Sequence, residues 1–154
     1  SCSPHQEDAF PHPGHIAEPG IGPGTGFTMK APLARKSTIA DLSLVFDEVF
    51  LPAIRRMDPG LIIISAGQDT LSDDPVGDMQ LVPDDLGYLT GRVLDATGLP
   101  VALVLEGGYG PSHGAAVRNI FSALSGTRFK AGTKAPGKKT PGLVAKLQRI
   151  HNLP

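Results

Sequence analysis

Two short runs of consecutive apolar residues constrain the fold of this chain more than any other feature. They are Leu61-Ile62-Ile63-Ile64 and Val101-Ala102-Leu103-Val104-Leu105. Neither run alternates with polar residues, so each is predicted to be a strand buried on both faces, as in a parallel sheet. Between them, residues 84–97 carry leucine and valine at helical spacing and stop at Gly98. Strand, helix and strand with short connections predict a right-handed β-α-β unit in an α/β fold.

Further helices are predicted on either side of this unit. One runs from a cap at Ser37 or Thr38 to about Met57, bends at Pro52, and ends at Pro59-Gly60. Others cover roughly residues 112–124 and 141–151, the second after a linker at 127–138. Residues 1–36 hold many of the glycines and prolines and are predicted to form one long active-site loop with a short strand near residues 2–4. Their glycine run has the spacing GxGxGxG, which argues against a dinucleotide site.

Composition bounds the class of protein. With 154 residues, 40% of them apolar, and a net charge of −1, the chain has the size and balance of one soluble domain. No apolar run could span a bilayer, nothing indicates nucleic acid binding, and the single cysteine, Cys2, suits the cytoplasm. Residues 1–126 carry a charge of −8 and residues 127–154 carry +7. The basic segment is interpreted either as a binding surface for an anion or as a solvated extension packed on the acidic body.

A candidate site lies in the two loops that follow the apolar runs. The first loop covers residues 65–77 and contains Asp69; the second covers residues 106–110 and contains Tyr109. Ligands of open parallel sheets collect at the carboxyl ends of the strands, so both side chains are expected on the same rim. The paired glycines before the following helix could alternatively cradle an anion.

These loops resemble motifs of the zinc-dependent histone deacetylase and acetylpolyamine amidohydrolase family. The matching segments are Ser3-Pro4-His5, Phe10-Pro11-His12-Pro13-Gly14-His15-Ile16-Ala17-Glu18, the glycine run Gly20–Gly26, Ser65-Ala66-Gly67-Gln68-Asp69-Thr70 with Asp74-Pro75-Val76-Gly77, and Leu105-Glu106-Gly107-Gly108-Tyr109. The similarity covers roughly residues 1–126. It implies a three-layer, arginase-like architecture, a parallel sheet flanked by helices, present here as its C-terminal portion.

The resemblance also implies roles for individual residues. Asp69 matches a carboxylate ligand of the catalytic Zn²⁺, Tyr109 the tyrosine that stabilises the oxyanion, and Ser3 a ligand of a structural K⁺. The residues that match the substrate channel are Phe10, His15, Val76, Gly107 and Gly108. The implied reaction is hydrolysis of a small acetylated amine such as an acetylpolyamine, with acetyl-lysine in proteins as the second choice.

Two parts of the family's active site have no counterpart in the sequence. There is no Asp-x-His pair to complete the metal site and no His-His pair to activate water. The chain is therefore interpreted as a fragment, one piece of a broken polypeptide, or a degenerate relative, and as inactive by itself. Its expected partner is a missing N-terminal half or another copy of itself. The rival hypothesis is a catalytically inactive α/β domain that acts through self-association.

Several polar residues admit two interpretations. Asp73-Asp74 could be a second carboxylate pair, but Asp-Asp-Pro favours an ordinary turn. His12 and His15 could bind a metal, but a proline- and glycine-rich loop favours a role in shaping the mouth of a pocket. His113 and His151 are expected at the surface.

Overall fold

The computed structural model describes residues 1–9 and 14–154, which form four strands and five α-helices. The strands are β1 (Cys2–Gln6), β2 (Met29–Leu33), β3 (Ile62–Ala66) and β4 (Val101–Leu105); the helices are α1 (Ile39–Val45), α2 (Leu51–Met57), α3 (Pro83–Thr97), α4 (His113–Leu124) and α5 (Thr140–His151). A single 3-10 turn lies at Gly22–Gly24. None of the helices in these two ranges has both the length and the apolar character to cross a membrane.

The predicted β-α-β unit is present, with α3 as its helix. Strands β3 and β4 pair in parallel, with Ile62 opposite Val101 and Ala66 opposite Leu105. Helix α3 begins with Pro83 in its first turn and ends at Gly98, which is left-handed with φ 64°. It packs against α4 along much of its length. Both strands therefore deliver their carboxyl ends, and the loops that follow them, to one edge.

The prediction that both strands are buried on both faces is wrong for the described residues. Ile62, Ile64 and Leu103 are partly buried, whereas the alternate side chains are open to solvent. Ile63 is 66% exposed and Val104 is 50% exposed. The reason is that no other part of the described chain packs over one face of the two-stranded β3-β4 sheet. One face is covered and the other is a bare apolar surface.

A second parallel pair lies in the segment that was predicted to be irregular. Strand β2 pairs with β1, with Cys2 opposite Met29 and Gln6 opposite Leu33. Its residues alternate, and Met29, Ala31 and Leu33 are almost completely buried. Pro32 hides this pattern in the sequence, because proline cannot donate to a ladder and normally argues against a strand.

The predicted helix after residue 37 is interrupted by one widened turn. Thr38 caps its start, donating its backbone N–H to Asp41 Oδ2 at 2.9 Å. Residues Phe46–Phe50 form a π turn just before Pro52. We attribute the widening to Pro52, which lacks an N–H and whose ring would crowd the carbonyl four residues earlier. The helix then ends at Asp58, which adopts a left-handed φ of 45°.

The C-terminal segment is part of the core, and the predicted terminal helix is confirmed as α5. Val144 and Leu147 are 6% and 0% exposed and pack with residues of β2 and α1. Asp41 Oδ1 holds the start of this helix, accepting from Gly137 N at 2.7 Å and from Thr140 Oγ1 at 2.5 Å. The segment is therefore tied to the body by packing and by a buried carboxylate.

His151 lies at the last residue of α5 and is only 4% exposed, so the expectation of a surface histidine is wrong. Arg56 explains its position. The Arg56 guanidinium donates to the carbonyl of His151 at 2.7 Å and to that of Asn152 at 3.2 Å. These bonds hold the end of the helix against the body.

Candidate functional site

The Asp69 carboxylate lies between two glycines, one on each of the two loops. A Cβ atom placed on Gly67 would lie 3.2 Å from Asp69 Oδ1. One placed on Gly107 would lie 2.7 Å from Oδ2. A side chain at residue 107 would press on the Asp69 carboxylate. Asp69 thus lies against the backbone of the loop that follows β4.

The Tyr109 hydroxyl faces the same space. It lies 3.4 Å from the point that a Cβ on Gly107 would occupy, and the Asp69 Oδ2 atom is 2.7 Å from that same point. The two side chains therefore flank one small volume above Gly107. Tyr109 is 65% exposed, so its hydroxyl is open to solvent and to a ligand. A carboxylate and a phenol donor meet at the rim of the β3-β4 sheet.

Backbone contacts extend the strand pairing into the two loops. Gln68 N donates to Gly107 O at 2.7 Å. Gly108 has a φ of 140°, and a Cβ there would lie 2.5 Å from His113 Nδ1 and 2.8 Å from Gln68 Cβ. Only glycine fits this position. His113 was expected at the surface, but its Nδ1 is buried and has no hydrogen-bond partner within the described residues.

Asp74 connects the two loops, a function that the sequence did not indicate. Its side chain is 7% exposed and accepts four backbone hydrogen bonds. Oδ1 accepts from Val76 N at 2.8 Å and from Gly77 N at 3.3 Å. Oδ2 accepts from Tyr109 N at 2.6 Å and from Gly110 N at 3.1 Å. The predicted turn is present, and its carboxylate also reaches the loop that carries Tyr109.

The partly buried Asp69 carboxylate and the buried Asp74 carboxylate have opposite electrostatic character. Burial raises the pKa of Asp69, and the nearby charge of Asp74 raises it further. Burial also acts to raise the pKa of Asp74, but the four backbone N–H groups outweigh it and the net pKa is lowered. Asp74 is therefore a satisfied anion, whereas a cation placed beside Asp69 would relieve its desolvation.

The residues described here do not assemble a complete zinc site. A catalytic zinc ion takes three protein ligands and keeps one open position. Across residues 1–9 and 14–154, no group of three or more His, Cys, Asp or Glu side chains could hold a metal ion. Asp69 supplies one carboxylate. We therefore derive no catalytic step through zinc.

The other residues assigned from the resemblance lie in different surroundings. Ser3 is exposed, with Oγ 3.4 Å from His5 Nδ1, and its assignment to K⁺ stays a prediction. Val76 is 64% exposed in the Asp74 loop. His15 is exposed at a cavity of about 160 Å³ beside His5 and Pro32. Phe10 lies outside the described residues, and so does His12.

Comparison with known proteins gives consistent matches over most of the chain. The family model described as "Histone deacetylase domain" matches residues 1–124. Acetylpolyamine amidohydrolase from Mycoplana ramosa is 34% identical over 77% of this chain and 35% of its own length. Histone deacetylase 10, chloroplastic, from Oryza sativa subsp. japonica is 30% identical over 98% of this chain and 37% of its own length.

Solved structures agree with these matches. The HDA15 HD domain superposes with a TM-score of 0.89 at 26% identity, over 97% of this chain and 43% of the other. The histone deacetylase Clr3 superposes with a TM-score of 0.90 at 25% identity, over 97% of this chain and 27% of the other. The chain thus spans well under half the length of the relatives that it matches.

Proposed function

The chain belongs to the histone deacetylase family, and on that premise we propose that Asp69 and Tyr109 form part of the centre of an amidohydrolase that removes acetyl groups from acetylated amines. The family match covers residues 1–124, and the predicted arginase/deacetylase-like fold is confirmed by the solved structures. Because the chain spans about a third of its curated relatives, the activity of a whole enzyme is inferred for it.

One observation carries the proposal: the Asp69 carboxylate and the Tyr109 hydroxyl flank the same point above Gly107. Hydrolysis of an amide passes through a tetrahedral oxyanion, and a preorganised phenol donor stabilises that charge more than it stabilises the ground state. Tyr109 is exposed and can offer its hydroxyl in this way. Asp69 would supply one carboxylate of the metal's ligand set. The resemblance assigns Gly107 and Gly108 to the wall of the substrate channel, beside these two groups.

The substrate that we favour is an acetylpolyamine or a similarly small acetylated amine, with acetyl-lysine in proteins second. Support comes from the Gly14-His15-Ile16-Ala17-Glu18 segment and from the name of the Mycoplana ramosa relative. Glu18 forms an ion pair with Lys30, which holds its pKa below the usual range. Lys30 binds Glu18 Oε2, so a second ammonium group of a polyamine would share this carboxylate with Lys30 or displace it.

A chimera tests the assigned roles directly. The whole chain, with α5 included, would replace the segment of the Mycoplana ramosa enzyme that it matches, and release of acetate from an acetylated diamine and from an acetyl-lysine peptide would be measured. Asp69→Ala should abolish turnover. Tyr109→Phe should reduce it roughly a hundredfold, which is the usual cost of losing an oxyanion donor. Tyr88→Phe is the matched control, because Tyr88 is the other tyrosine and packs against the core.

Stability separates a catalytic tyrosine from a packing one. Tyr109→Phe should change the free energy of unfolding of the chain by about 1 kcal/mol or less, the net contribution of a solvated hydrogen bond. A loss of several kcal/mol in the chain, together with an unchanged rate in the chimera, would make Tyr109 a packing residue. The proposed role would then be wrong at its most important position.

A second candidate function is self-association of a catalytically inactive domain. The observation that favours it is the bare face of the β3-β4 sheet, where Ile63 and Val104 are at least half exposed, with Leu105 61% exposed at the end of β4. Such a face, together with open strand edges, tends to be covered by another copy or by the remainder of a domain. Sedimentation should show a dimer or larger species that Ile63→Asp disperses. A stable wild-type monomer at micromolar concentration would contradict this candidate.

A further inference from the structure

Two neighbouring backbone amides of the loop that presents Tyr109 donate to one buried carboxylate. Strand-like pairing to the Asp69 loop ends at Gly107, whose carbonyl accepts from Gln68 N, and beyond it Tyr109 N and Gly110 N both donate to Asp74 Oδ2. Asp74 is 7% exposed, so these bonds are shielded from water. Hydrogen bonds to an ionised acceptor are about twice as strong as neutral ones. The backbone position of Tyr109 therefore depends strongly on Asp74.

The other oxygen of the same carboxylate holds the loop that carries Asp69. Oδ1 accepts from Val76 N and Gly77 N. Gly77 in turn lies against Asp69, so closely that a Cβ on Gly77 would be 1.9 Å from the Asp69 carbonyl oxygen. The Asp74 carboxylate thus connects the loop of Asp69 to the loop of Tyr109, because it accepts hydrogen bonds from backbone amides of both.

We propose that Asp74 is the positioning residue that sets the place of Tyr109 relative to Asp69. The catalytic meaning of this placement rests on the proposed function, because a site must hold its groups to within about 0.5 Å to act. The residue type is specified by hydrogen-bonding capacity. An ionised carboxylate offers about four acceptor sites to the four N–H donors, whereas asparagine offers one oxygen and would turn its own NH₂ group toward two of them.

Hydrogen exchange measured by NMR on the full chain tests the proposal. In the wild type, the amides of Tyr109 and Gly110 should be protected although they lie in a loop. Asp74→Asn should accelerate their exchange roughly ten- to hundredfold, the range expected for losing a hydrogen bond to a charged group. The amide of Val104, which the parallel register of β4 turns toward β3, should exchange at its wild-type rate and thereby report that the strand is intact.

Asp73→Asn is the matched control, because it removes the same charge from the adjacent residue. Asp73 Oδ2 accepts from Ser112 N at 3.0 Å and makes no hydrogen bond to Tyr109 or Gly110 within the described residues. In Asp73→Asn, the amides of Tyr109 and Gly110 should exchange at rates within about twofold of the wild type, since neither amide loses its acceptor. Equal acceleration of exchange by Asp73→Asn and Asp74→Asn would overturn the proposal, because the loss of a negative charge, and not the loss of the Asp74 acceptor, would then explain the faster exchange.

Tyrosine spectroscopy gives a second readout that loss of stability alone would not move. The chain has two tyrosines and no tryptophan. With fluorotyrosine incorporated, Asp74→Asn should shift and broaden the ¹⁹F resonance of Tyr109 in the folded protein and leave that of Tyr88 in place. A variant with reduced stability but unchanged Tyr109 resonance and exchange would show that Asp74 is only a turn residue. Should Asp74→Asn fail to fold, unprotected wild-type amides at Tyr109 and Gly110 would overturn the proposal and protected ones would support it.

The chimera connects this result to catalysis. There Asp74→Asn should lower kcat with little change in KM, and the double variant with Tyr109→Phe should lose less than the product of the two single losses, because part of the effect of Asp74 acts through Tyr109. Losses that multiply would mean that Asp74 does not act through Tyr109, and would count against the proposal. A wild-type chimera without activity would contradict the proposed function. The hydrogen-exchange and ¹⁹F measurements on the chain would still test whether Asp74 positions Tyr109.

Discussion

Adding one methyl group at Gly107 should disturb the site while leaving the fold intact. A Cβ there would lie 2.7 Å from Asp69 Oδ2 and 3.4 Å from the Tyr109 hydroxyl. The closest ordinary C–H···O separation is about 3.3 Å, so the carboxylate must move by roughly 0.6 Å or more. Gly107 is not among the glycines with a positive φ, and alanine can therefore adopt its backbone conformation.

The expected cost to stability is small because the crowded atoms are the ends of two side chains. Alanine also restricts the unfolded chain, which stabilises the fold by about 0.4–1 kcal/mol and offsets part of the crowding. The free energy of unfolding of Gly107→Ala should stay within about 1 kcal/mol of the wild type. Turnover of the chimera should fall roughly ten- to hundredfold, because a displacement near 1 Å costs about a hundredfold.

Urea denaturation of the chain and acetate release by the chimera measure the two quantities. Gly60→Ala is the control, since nothing lies within 4 Å of a Cβ at that position. A loss of more than about 3 kcal/mol in Gly107→Ala would mean that the methyl group strains the backbone, beyond the usual cost of overpacking. Full activity of the Gly107→Ala chimera would refute the view that Asp69 and Tyr109 act from their present positions.

Three further predictions concern helix packing, pH and metal. In α3, Gly91→Ala should raise the free energy of unfolding, measured in urea, by about 0.5–1 kcal/mol, because its Cβ enters open space. Gly87→Ala should lower the free energy of unfolding by about 1–3 kcal/mol, because its Cβ would lie 2.6 Å from the Phe129 ring. Burial of Asp41 acts to raise its pKa, but the hydrogen bonds that it accepts outweigh burial and the net pKa is lowered. The ionised Asp41 side chain therefore stabilises the fold above the pKa that it has in the unfolded chain, and this stability is lost as the pH falls through the pKa that it has in the folded chain. Asp41→Asn should therefore flatten the loss of stability between about pH 5 and pH 2, and an unchanged acid profile would contradict the assignment. Calorimetry of the chain should show zinc binding no tighter than about micromolar, since residues 1–9 and 14–154 hold no group of three ligands around Asp69, and a nanomolar site lost in Asp69→Ala would contradict this.

Features that reside in a continuous stretch of sequence were predictable. The two apolar runs became parallel neighbours because β-branched and aliphatic residues between helical segments favour that arrangement. The loops with Asp69 and Tyr109 follow their strands directly, so their placement at one rim follows from parallel pairing. Family motifs supplied the chemistry, and the family match confirms the fold that they implied.

Features that depend on contacts between distant residues were not predictable in this way. Asp74 binds the backbone of Tyr109 across 35 positions, and nothing in Asp-Asp-Pro distinguishes a bridging carboxylate from a turn former. The exposure of Ile63 depends on whether another element packs over that face of the β3-β4 sheet, which its own residue type does not record. His151 is buried because Arg56, 95 residues earlier, binds the end of its helix.

The way α5 completes the core has a consequence for synthesis on the ribosome. Asp41 binds Thr140, 99 residues later in the chain, and Leu147 fills the core beside residues of α1. At about 5–20 residues per second, α1 waits roughly 5–20 s after its own translation before its partner helix exists. During that interval the apolar face of α1 has no permanent neighbour on this side. The nascent chain therefore passes through a stage in which chaperone binding competes with misassembly. Codons that slow translation between α4 and α5 would lengthen this stage.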